Sequence, residues 1–139
     1  MAVEDPNTFA RWFQRTVWLG IVANLVLAIP TFLAPEMMIR LAGAPPATPI
    51  MWVRFSALLL VLLSLFYVSA ARDCIRYRPV AVMTVLSRLA GVLFFSTQAV
   101  DYRLFGLFDL VFLIPEGIFL LLAMRSTTPP ANARDRQRA

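Results

Sequence analysis

Apolar positions along the chain gather into four long runs, each bounded by charged or proline-rich residues. The first is free of charge over the 20 residues from Thr16 to Pro35. A helix of that length rises through a hydrocarbon core of about 30 Å. The pattern predicts spans at about 12–34, 50–71, 79–100 and 104–124. They form one transmembrane domain over 11–125, between a polar head, 1–10, and an arginine-rich tail, 126–139, with no apolar face. That tail is expected to be disordered. Trp12, Arg15 and Trp18 mark an interface at the start of the first span, where indole rings and snorkelling arginines are favoured.

The connector between the first two spans has its own signals. In PEMMIRLAG, Pro35 opens and Gly43 closes a short helix. Glu36 and Arg40 share one face, while Met37, Met38 and Leu41 fall mostly on another, which suits a helix lying at the membrane interface. Residues 44–49 are too rich in proline to be helical. The expected fold is therefore all-α: an integral membrane four-helix bundle with a short interfacial helix between spans one and two. Asp101-Tyr102-Arg103 is expected to make a tight hairpin between spans three and four.

Composition sharpens this picture. The 139 residues are 60% hydrophobic, and a soluble domain is closer to half. The pI near 10.7 comes from arginines flanking the spans, so nucleic acid is not the expected partner. The bilayer is. All 13 basic residues are arginine. Nine fall on the side of the head, the 72–78 loop and the tail, against two, Arg40 and Arg103, on the other. This bias predicts that both termini are cytoplasmic. The acidic head is unlike a signal peptide, so the first span is expected to be retained. With no histidine and one cysteine, Cys74, a histidine-ligated metal or haem site and a dithiol pair are excluded within the chain, and Cys74 is expected to be a free thiol. No metal and no cofactor of its own is expected.

The chemistry lies in charges placed inside apolar runs, where each needs a partner or a polar cavity. The last run carries Asp109 and Glu116, seven apart and so on one face. The second carries Arg54 and the third Arg88. Helix rise puts Arg88 roughly 13 Å from one surface and Glu116 roughly 18 Å from the other. Both are fourteen positions from Tyr102, which predicts an Arg88–Glu116 pair near the midplane and an Arg54–Asp109 pair nearer the outer surface. Two readings stay open: ion pairs that neutralise each other and fix helix register, or a polar cavity lined by Arg88, Glu116, Gln98 and Asn24. Pro115-Glu116-Gly117 is expected to weaken the helix beside the carboxylate. Phe94, Phe95, Phe105, Phe108, Phe112 and Phe119 could either line a flat pocket for a ring or face lipid.

The connector LAPEMMIRLAG, the second-span opening MWVRFSALLL and the third-span VLSRLAGVLFF resemble the DoxX-like superfamily of small bacterial membrane proteins. The resemblance covers most of residues 11–124. It implies a four-helix fold in a bacterial inner membrane and a link to redox or quinone-associated complexes. It carries no catalytic residues onto this chain. The leading expectation is a non-catalytic accessory subunit or a module binding an apolar ligand. The alternatives are a quinone- or lipid-linked redox subunit and a small transporter working as an oligomer. A quinone or a lipid is left open as ligand, and a membrane-complex partner or a second copy as partner.

Overall fold

The computed structural model describes residues 7–126. Four long helices, α1 (Asn7–Leu33), α3 (Met51–Arg72), α4 (Arg78–Ser96) and α5 (Arg103–Ser126), coincide with the apolar runs, and a short α2 (Pro35–Leu41) follows α1. All four long helices are long and apolar enough to cross a membrane, and the protein is a multi-pass membrane protein by that measure. The head up to residue 6 and the tail beyond 126, with its expected disorder, lie outside the described residues.

The spans form a ring in which α1 packs on α3 and α5, and α4 closes the circuit between α3 and α5. The α3–α4 seam is the thinnest of the four. On α1 the inward face is Ala10, Phe13, Val17, Gly20, Asn24 and Ala28, spaced by threes and fours as one helix face requires. Where α1 and α4 begin and α3 and α5 end, the core is dry: Phe13 is wedged among the fully buried Ala70, Ala81 and Ala123. Such small residues let backbones approach in lipid, where apolar burial alone gives no drive to associate.

The connections follow from local chemistry. After α2, Gly43 takes a positive φ of 66°. The amide of Ala44 reaches back to the Ile39 carbonyl at 3.1 Å, and that of Gly43 to Arg40 at 3.1 Å, a Schellman closure. Between α3 and α4, Asp73 Oδ1 accepts the amides of Ile75 at 3.1 Å and Arg76 at 2.9 Å, and Gln14 donates to the Arg72 carbonyl at 3.1 Å. Cys74 is free, as its solitude in the sequence implies, and it is fully buried under Ala10.

Two local expectations are corrected. The α4–α5 connection is not a hairpin centred on Tyr102: α4 stops at Ser96, a 3-10 turn covers Val100–Tyr102, and α5 starts at Arg103. Nor is α5 interrupted at Pro115-Glu116-Gly117, because the helix runs through. A proline in a span loses one backbone bond, which its surroundings can absorb without ending the helix.

Candidate functional site: the charged centre of the bundle

All four spans converge on Arg88. It is 3% exposed, and Nη1 donates to Asp109 Oδ1 of α5 at 2.8 Å and to Asn24 Oδ1 of α1 at 3.2 Å. Asn24 passes the link to α3 by donating to Ser64 Oγ at 3.2 Å. Ser64 in turn donates to the Leu60 carbonyl at 2.8 Å. The guanidinium carbon lies 5.0 Å from the ring centre of Phe112 and 5.8 Å from those of Phe108 and Tyr67. Desolvated cation–π contacts of this kind hold a guanidinium where water cannot. The Tyr67 hydroxyl is hydrogen-bonded to Ser87 Oγ across the α3–α4 seam.

The ion pair is therefore Arg88 with Asp109, and not Arg88 with Glu116 or Arg54 with Asp109. The reason is register. Gly91 faces Asp109, Gly106 faces Phe95 and Gly117 faces Val85, so the level of Arg88 on α5 falls between the two acids. The missing side chain at Gly91 leaves room for the Asp109 carboxylate beside α4; its carboxyl carbon lies 2.9 Å from where a Cβ would stand. Asp109 keeps 18% side-chain exposure, while Glu116 has none.

Glu116 belongs to the same centre but is unpartnered. Neither of its oxygens has a hydrogen-bond partner, nor do Nε and Nη2 of Arg88. Nη2 and Glu116 Oε1 come within 2.7 and 3.3 Å of the point where Gly20 would carry a Cβ, so the free donor and the free acceptor lie close together beside α1. A hydroxyl or a water there would accept from the guanidinium and donate to the carboxylate. Buried polar groups are rarely left unmade, because an unpaired one costs the whole of its desolvation.

Of the six candidate residues, Arg88, Glu116, Asp109 and Asn24 are brought together, and two are not. Gln98 falls beyond the end of α4, and its side chain bonds locally, to Thr97 Oγ1 at 3.1 Å and the Phe94 carbonyl at 3.4 Å. The helix that carries Arg88 ends at Ser96, before it reaches position 98. Arg54 is exposed beside α2, although Ala57 and Ser64 further along α3 are buried. The six phenylalanines divide into separate contacts. Phe94 and Phe105 pack on Phe95 by the connection, Phe108 meets Phe112 at the centre, and Phe119 stacks on Trp12 at the other end. Sequence reasoning missed Tyr67, Ser87 and Gly20. The available signals were Ser64 and Tyr67 at i, i+3 in the middle of the second run, and Gly20 at i, i+4 from Asn24.

Leu63, Phe66, Met83 and Val80 line an apolar groove of about 320 Å³ over the α3–α4 seam, with Tyr67 and Ser87 also in its wall. No family model matches the chain, and no curated protein or solved structure matches it.

Proposed function

We propose that this chain is a non-catalytic membrane module that holds an apolar molecule with an oxygen-bearing head group. The apolar part lies in the α3–α4 groove. The head displaces the Tyr67–Ser87 hydrogen bond and meets Arg88 and Glu116. The observation that carries the reading is the set of buried donors and acceptors left unmade on those two residues, Arg88 Nε and Nη2 against both oxygens of Glu116. The groove adds to it, because its volume is at the lower end of small-molecule sites and its wall includes Tyr67, whose ring packs on the guanidinium. A bacterial inner membrane, cytoplasmic termini and membership of the DoxX-like superfamily are parts of the same proposal. They rest on the arginine bias and the motif resemblance.

Thermal unfolding of the purified protein in detergent tests it, with decylubiquinone as an oxygen-headed probe and decane as its headless counterpart. Decylubiquinone raises Tm and decane does not. Met83→Trp, which fills the groove from a position 62% exposed, removes the rise while leaving the unliganded Tm unchanged. Equal shifts with both probes, no shift with either, or a shift that survives Met83→Trp would refute the reading.

A further inference from the structure

A second recess, charged where the α3–α4 groove is apolar, lies where α1 turns into α2 and α3 begins. Leu33, Met37 and Ile50 form its apolar part, and Glu36, Arg40 and Arg54 bring three charges to it, in a volume of about 320 Å³. Arg40 comes from the last turn of α2 and Arg54 from the start of α3. Although Glu36 and Arg40 are one helical turn apart, they do not pair. Among the described residues the side chains of Glu36, Arg40 and Arg54 make no ion pair or hydrogen bond. Trp52, 59% exposed in the first turn of α3, and Leu33, 70% exposed at the end of α1, place the recess where apolar surface meets headgroups.

We infer that this recess binds the phosphoethanolamine headgroup of a membrane lipid, with Arg40 and Arg54 on the phosphate and Glu36 on the ammonium. Two guanidiniums offer planar forks of donors suited to phosphate oxygens. A single carboxylate beside them complements an amine and opposes a purely anionic headgroup. The apolar wall of Leu33, Met37 and Ile50 suits the glycerol and first acyl carbons, which a free phosphate lacks. This site is independent of the α3–α4 groove and would remain if the groove held nothing.

Native mass spectrometry of the full chain released from detergent reads lipid retention directly. The probes are phosphatidylethanolamine, phosphatidylglycerol and phosphatidylcholine of identical acyl chains, and inorganic phosphate as a competitor. The wild type retains phosphatidylethanolamine about tenfold more tightly than phosphatidylcholine. Arg40→Gln with Arg54→Gln loses retention of all three lipids. Glu36→Gln keeps the phosphate contact and loses the preference for ethanolamine over choline. All three side chains are exposed, and an unchanged Tm confirms that each variant folds. Equal retention of the three lipids by the wild type, retention that survives the double arginine variant, or displacement of the lipid by inorganic phosphate would overturn the assignment.

Discussion

Arg88 shows how one residue can decide the interior of a small bundle. A guanidinium does not shed its charge, so burying it obliges every neighbouring span to supply something: Asp109 and two rings from α5, Asn24 from α1, Tyr67 from α3. The two glycines beside the centre matter as much as the charges. At position 91 a methyl group would collide with the Asp109 carboxylate, and at position 20 with the Arg88 guanidinium at 2.7 Å. Gly91→Ala should therefore cost on the order of 1–3 kcal/mol by overpacking. Gly117→Ala, whose nearest neighbour would be Val85 at an ordinary 3.8 Å, should cost far less. Thermal unfolding of the two variants side by side checks this, and equal losses would mean that Gly91 is not where Asp109 is accommodated.

At the scale of elements, the four spans and α2 were legible because hydropathy and proline–glycine punctuation are local signals. The inward face of α5 was legible as well, through the seven-residue spacing of Asp109 and Glu116. The pairing of charges was not. It depends on how α4 and α5 are offset, and the offset is set by a connection from Thr97 to Tyr102 whose 3-10 turn displaces the centre of the hairpin away from Tyr102. A shift of a few residues there moves Arg88 from the level of one acid to a place between two. Arg54 was misplaced for a related reason: a charge at the first turn of a span can leave the bundle, and α2 offers it a polar neighbourhood. The α3–α4 loop gives a prediction of its own. Its sequence is polar, yet the Asp73 turn and the Gln14 bond fold it over Cys74. Burial pushes the Cys74 thiol above its ordinary range, with the nearby Asp73 charge adding to the effect. Since the thiolate is the reacting form, Cys74 in the folded protein should resist iodoacetamide near neutral pH and react after denaturation. Labelling at the free-thiol rate without denaturant would show that this loop does not close over the sulfur.

The whole molecule has two kinds of surface. Less than a third of each span's most apolar stretch is buried, from 17% to 28%. The outer belt, with Leu65, Phe66 and Leu93 all more than half exposed, therefore has to meet lipid or other protein. Inside that belt the dry core around Phe13 occupies one end, and the charged centre joins all four spans. At that centre Arg88 is held by Asp109 while Glu116 remains the open group of the site. Two double-mutant cycles measured together by unfolding test it most directly, one with Arg88→Met and Asp109→Leu, the other with Arg88→Met and Glu116→Leu. Breaking a buried pair by removing one partner costs roughly 3–5 kcal/mol, so the first cycle should be strongly non-additive, the double variant costing much less than the sum of its singles. The second should show a smaller coupling, because Glu116 lies near the guanidinium without a hydrogen bond to it. A strong coupling of Arg88 to Glu116 with none to Asp109 would mean that Glu116, and not Asp109, holds the guanidinium.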